Sequence, residues 1–174
     1  MRRLALCLLP LLLVGCPGYH TRFDVPAHLH TFNVGIFINR TLEANTDYEF
    51  TQQLIHEIAA RTPLRLTSEG EADLAIKGEI AKFDRYTLRR RQHGEKSEMQ
   101  YVLHVDVTMI DRKKDVVFFE GKSINWRSEF RMNLGETQTQ AREEVIRELA
   151  RHVVDLAFER WPTAPAEPKA ASQK

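Results

Sequence analysis

Cysteine is scarce in this 174-residue chain, and both of its cysteines, Cys7 and Cys16, lie near the N-terminus. The rest of the sequence has no pair for a disulfide and no thiol for a Cys-based metal site or a nucleophile. An excess of one charge is also missing. Lys+Arg number 25 against Asp+Glu 24, a formal charge of +1, where a nucleic-acid binder would show a basic bias. Long hydrophobic runs are missing too. Leu4 to Val14 is short of the roughly 20 apolar residues that a bilayer-spanning helix needs. There is no G-x-S-x-G elbow, no phosphate-cradling glycine loop, no H-E-x-x-H, no C-x-x-C and no internal repeat. The expectation is a protein that is not an enzyme and that uses no cofactor or metal. A hydrophobic share of 43% excludes wholesale disorder and leaves one domain as the default reading.

What is present begins with an export signal. Arg2 and Arg3 precede the apolar run, and Leu13-Val14-Gly15-Cys16 has the form of a bacterial lipobox. The small Gly15 admits a peptidase, and the Cys16 thiol is the expected acceptor of a diacylglyceryl group. Residues 1–15 then form a lipoprotein signal peptide. Their removal takes two arginines and shifts the formal charge from +1 to −1. Several acyl chains make membrane anchoring stable where one would be marginal. Pro17 follows the cysteine in place of the aspartate that retains many lipoproteins at the inner membrane. The expected location is therefore the outer membrane, on its periplasmic side.

Residues 16–30 read as a lipidated tether, with Pro17, Gly18 and Pro26 and no clear period. Thr31 to Asn39 alternates as a strand. Thr46-Asp47-Tyr48-Glu49 has the capping-box pattern, and Phe50, Leu54 and Ile58 give an amphipathic helix over Asp47 to Arg61, ended by Pro63. Leu64 to Thr67 is a short strand. A long strand starts at Leu74, and its apolar phase flips near Ile80–Lys82, which predicts a bulge. Met99, Tyr101, Leu103, Val105, Val107 and Met109 alternate with polar residues in a half-buried antiparallel strand. Val116 to Arg131 returns as another strand, kinked at Gly121. Thr137 or Thr139 caps a second helix with Ile146, Leu149, Val153 and Leu156 in its apolar stripe, closed by Trp161 and Pro162. The fold class is α+β, a two-layer sandwich with two amphipathic helices on one face of an antiparallel-dominated mixed sheet. Residues 31–161 form the domain, and 162–174 is a disordered tail.

Polar constellations are few. His28 and His30 lack a third ligand and read as part of the exposed tether. His104 and Asp106 share a strand face and read as polar surface. Glu143 and Glu144 suit the helix dipole better than paired-acid chemistry. The best candidate site is the basic segment Arg85, Arg89, Arg90, Arg91 and Lys96, interleaved with Tyr86 and Leu88 and read as a hairpin tip. Guanidinium groups bind phosphates bidentately, and apolar neighbours can lie along an acyl chain, so a phosphorylated glycolipid suits it. The competing reading is a solvated run of charge protecting a sheet edge.

Several short stretches resemble one family. Cys16-Pro17-Gly18-Tyr19-His20 is close to a cysteine-glycine-tyrosine start with Pro17 inserted. Val25-Pro26 and Thr31-Phe32-Asn33-Val34, then Phe37-Ile38-Asn39-Arg40-Thr41, resemble a first strand and an F-x-N-x-T turn. Glu49 to Leu54 resembles the helix that follows, and Ala72-Asp73-Leu74-Ala75-Ile76-Lys77-Gly78 an A-D-x-x-x-x-G strand. In order and spacing these are similar to the LptE family of lipopolysaccharide-assembly lipoproteins, from Cys16 to about Trp161. The resemblance implies an α+β sandwich of two helices on a sheet. It also implies a non-enzymatic plug inside an LptD-like outer-membrane β-barrel, and lipopolysaccharide as ligand. It assigns no lipid-contacting residue, so Arg85 to Lys96 rest on the chemistry above. A secretion lipoprotein of the CsgG kind would share the lipobox and the β-α opening. It would need a further amphipathic strand pair, which the sequence does not offer.

Overall fold

The computed structural model describes residues 23, 25–90, 96–131 and 135–159. The signal peptide, Cys16, Arg91, Trp161 and the C-terminal tail lie outside the described residues. Six strands and two helices follow in the order β1 (Thr31–Val34), β2 (Ile38–Asn39), α1 (Thr46–Arg61), β3 (Arg65–Leu66), β4 (Leu74–Arg90), β5 (Lys96–Asp111), β6 (Val116–Arg131) and α2 (Gln138–Phe158). The sheet runs β3-β1-β4-β5-β6, with β2 pairing β4 beyond β1. The pairings of β1 with β3 and of β1 and β2 with β4 are parallel, whereas β4-β5 and β5-β6 are long antiparallel ladders. The two-layer α+β sandwich with a mixed, mainly antiparallel sheet is therefore the observed fold.

The alternating strand buries one face as expected. Met99, Tyr101, Leu103, Val105, Val107 and Met109 are all at most 5% exposed. They face the helices, and α2 meets them with Val145, Ile146, Leu149, Ala150, Val153 and Val154. The bulge of β4 sits at Ile80–Lys82, where the register against β5 shifts. The kink of β6 follows Gly121, where Lys122 and Ser123 are both accommodated opposite Asp106. Asp106 holds this bulge, its Oδ1 accepting the Ser123 N–H at 2.6 Å, and Ser123 has φ 53°. His104 lies beside it, with Nδ1 3.5 Å from the Ser123 hydroxyl. That is polar surface serving backbone geometry.

Four local expectations need correction. The first strand is two: the chain turns at Gly35–Phe37, so Phe37 enters the core and Ile36 is left exposed. Thr46 is not an N-cap. Asn45 holds that place in the left-handed region, φ 61°, with no side-chain cap, while the Thr46 hydroxyl donates to the Glu43 carbonyl and Glu49 pairs with Arg142. The capping box occurs at the other helix, where Thr137 Oγ1 accepts from the Gln140 N–H and Gln140 Oε1 from the Thr137 N–H. Leu156 is 47% exposed, because it lies one turn beyond His152 on the side of α2 that overhangs β6, and Phe158 fills the core instead.

The fourth concerns the segment read as a tether. Phe23 stacks on Phe158 with ring centroids 6.3 Å apart, under the Arg61 guanidinium, and Leu29 is buried. His28 Nε2 lies 2.6 Å from the Asp111 carboxylate. The backbone N–H groups of His30 and Thr31 both donate to Asp73, at 2.8 and 3.2 Å. His28 and His30 are thus docking residues, and among the described residues no three His, Cys, Asp or Glu side chains gather to hold a metal.

Candidate functional site

The long ladders give the molecule two ends. At the proximal end Leu74, Asp111 and Val116 meet. At the distal end β4 reaches Arg90 and β6 reaches Arg131. Seventeen residues of β4 separate these ends by roughly 50 Å at strand rise. The N-terminal segment docks at the proximal end, through Asp73, Asp111 and Lys113. Lys113 Nζ donates to the His28 carbonyl at 2.6 Å and to Asp73 at 3.0 Å. Desolvation raises the Asp73 pKa, but the His30 and Thr31 amides and the Lys113 ammonium outweigh it and hold the carboxyl at about 2. For Asp111 too, desolvation opposes ionisation, and the His28 hydrogen bond and the Lys113 and Lys114 amides prevail, so its pKa is lowered.

The basic segment lies at the distal end, but strand geometry divides it. Arg85 to Arg90 belong to β4, not to a hairpin loop. Arg85 sits opposite buried Tyr101 on the helix-facing side and pairs with Glu43. Its cation is already matched. Tyr86 lies on the outer face, its hydroxyl donating to Asp84 at 3.0 Å. The hydrogen bond from Lys82 is the main reason that the Asp84 pKa is lowered, and the same bond raises that of Lys82. Arg89 lies 3.8 Å from Glu98, and Arg131 reaches the same carboxylate at 3.1 Å. Two guanidiniums therefore share one carboxylate. Arg90 is exposed and makes no ion pair among the described residues. Arg91 and the side chain of Lys96 lie outside the described residues. Among the described residues the distal end carries the cations of Arg89, Arg90 and Arg131 and the carboxylates of Glu98 and Glu136. Sequence reasoning missed Arg131, because only the β5-β6 register brings it within reach of Glu98.

An aromatic row lies on the helix-facing side of the strands that lead to this end. Phe83, Tyr101 and Phe130 stand in sequence with ring centroids 5.3 and 5.1 Å apart. Burial pushes the Tyr101 pKa up. The Ser128 hydroxyl donates to Glu144 of α2 at 2.7 Å, tying the helix to β6. So Glu144 does structural work beyond favouring the helix dipole. Of the basic side chains, Arg85 stands beside this row, and Arg89 and Arg90 lie four and five residues farther along β4.

The LptE family model, described as lipopolysaccharide-assembly, matches residues 29–161. The chain belongs to the LptE family. The match spans the whole described sandwich from buried Leu29 onward. Among curated proteins none matches the sequence. Among solved structures, this LptE-family chain is similar to a minor lipoprotein from Acinetobacter baumannii, with 15% identity and a TM-score of 0.52, covering 77% of this chain and 94% of that one. It is also similar to a PelC dodecamer from Paraburkholderia phytofirmans, with 12% identity and a TM-score of 0.51, covering 79% and 96%. At such identities the likeness concerns the fold alone.

Proposed function

We propose that this LptE-family chain is a non-enzymatic subunit of a lipopolysaccharide translocon, anchored through acylated Cys16 to the outer membrane on its periplasmic side. It sits as a plug in an LptD-like β-barrel and engages lipopolysaccharide with its distal end. The observation that carries the reading is the family match over residues 29–161. The geometry supports it in two ways. The described residues His28 to Thr31 dock at the proximal end, which suits an anchor upstream of them and a distal end that projects away. At that distal end the guanidiniums of Arg89, Arg90 and Arg131 gather, a donor set that suits the phosphates of a glycolipid. Arg91 and Lys96 join the candidate set by their place in the sequence, while Arg85 contributes less because Glu43 neutralises it. The test of the plug role is purification of the affinity-tagged chain from its native envelope in mild detergent. A large outer-membrane β-barrel should accompany it in near-equal amount. Recovery of the chain without any barrel, under conditions that keep barrels folded, would contradict the plug role.

A further inference from the structure

Strand β6 is the last of the sheet, and no described strand pairs with its outer side. Which of its backbone groups face outward follows from the ladder. The Gly35 and Arg40 amides donate to the Ile76 and Ile80 carbonyls, which turns those residues of β4 toward β1 and β2. In an antiparallel pair such orientations alternate. Carried through the register, the alternation turns Ile124, Trp126, Ser128 and Phe130 toward β5, and Asn125, Arg127, Glu129 and Arg131 to the open side. The Arg131 N–H agrees with this, for it leaves the ladder and donates to the Glu136 carboxylate. The open edge is thus closed at Arg131 by Glu136 and interrupted on the other side by the bulge at Lys122–Ser123. Between them remains a short window, Asn125 to Glu129.

That window is furnished. A cavity of about 280 Å³ opens beside it, lined by Asn125, Trp126, Arg127 and His152. The Trp126 and His152 rings, centroids 5.3 Å apart, form its helix-side wall. Trp126 is 38% exposed, unusual for a large aromatic on the helix-facing side of a strand. Arg127 is exposed and makes no ion pair among the described residues. Main-chain groups with no ladder partner among the described residues, a cavity of mixed polar and apolar lining with an aromatic wall, and a cation without an ion pair are the parts from which strand addition is built.

We propose that the Asn125–Glu129 edge of β6 binds an extended acidic segment of another polypeptide, which adds as a short strand and places one side chain in the Trp126–His152 cavity. An acidic residue opposite Arg127 gives the favourable cross-strand pair. A second copy of this chain fits less well. The antiparallel self-pairing that uses all three open residues on both strands sets Arg127 directly against Arg127 of the other copy, a like-charge pair. This inference goes beyond the lipopolysaccharide reading and does not rest on it.

The test uses the full chain in detergent and two short synthetic peptides. One alternates Val and Thr with Asp at two Thr positions, and its twin carries Lys there. Hydrogen exchange should show the Asp peptide slowing the amides of Asn125, Arg127 and Glu129, with the Lys twin binding at least about tenfold more weakly. Arg127→Pro removes an outward-facing donor without costing a bond to β5, so it should keep its circular dichroism and lose at least about tenfold in binding. Should that variant not fold, Arg127→Glu supplies the charge arm, and it should favour the Lys twin over the Asp peptide. Equal binding of both peptides by wild type, or protection elsewhere than on β6, would overturn the proposal. So would protection of these amides that rises with protein concentration in the absence of peptide, since the occupant would then be a second copy.

Discussion

Asp73 offers a quantitative check on how the N-terminal segment is held. Its carboxylate accepts from the His30 and Thr31 amides and pairs with Lys113 at 3.0 Å. These contacts bring its pKa from 3.8 to about 2 against the opposing effect of desolvation. A folded-state pKa below the unfolded value contributes stability that is present above pH 4 and is lost as pH falls toward 2. The full shift corresponds to a ceiling of about 2 kcal/mol, and solvent screening around the partly exposed Lys113 reduces it to about 1 kcal/mol. Asp73→Asn keeps an acceptor for the amides and removes the charge. Urea unfolding followed from pH 5.5 to pH 2 should therefore show the variant less stable by about 1 kcal/mol at the upper end. The gap should close between pH 4 and pH 2. Asp111 and Asp84 also have lowered pKa values, so both proteins lose stability over this range, and only the difference between them reports on Asp73. A gap that stays constant down to pH 2 would refute the ion-pair argument and leave hydrogen bonding alone as the role of this residue.

Two further outcomes follow from packing and from the lipobox. A Cβ on Gly78 would lie 2.1 Å from the Asp106 carbonyl oxygen and 2.5 Å from the Phe37 ring, so Gly78→Ala should cost about 1–3 kcal/mol, read as a lower urea midpoint; an unchanged midpoint would mean that Phe37 does not pack against β4. Metabolic labelling with palmitate should mark the wild-type chain and not Cys16→Ser, and equal labelling of the two would dispose of the lipid anchor.

Where the sequence carried a strict period, the fold was legible. The β5 alternation placed every buried residue from Met99 to Met109, and the phase flip at Ile80–Lys82 announced the bulge, because a half-buried strand writes its two faces into alternate positions. The α1 stripe of Phe50, Leu54 and Ile58 was equally plain. Isolated contacts were not. Phe23 and Leu29 belong to no period, so their docking onto Phe158 and the core could not be read from spacing. Asn45 displaced Thr46 as the cap because its left-handed backbone was not signalled by residue type alone. The candidate site suffered from a different difficulty. Arg85, Arg89 and Arg90 are neighbours in sequence, but a strand sends them to different partners, Glu43 for the first and Glu98 for the second. Arg131, thirty-three residues beyond Glu98, joins them only through the β5-β6 register. Trp126 and His152 met in the same way, across the edge between β6 and α2.

The most direct measurement on the central claim is binding of lipopolysaccharide by the purified chain at low and high salt. It is made for the wild type and for the combined variant Arg89→Glu, Arg90→Glu and Arg91→Glu, with circular dichroism as the fold control. Charge-assisted hydrogen bonds to phosphate are about twice as strong as neutral ones, and salt screens exposed charges within about 10 Å. The account predicts that the folded variant binds more weakly than wild type at low salt, and that salt weakens the wild type more than the variant. Equal binding by the two proteins at both salt concentrations would contradict it and reduce the distal arginines to a solvated edge.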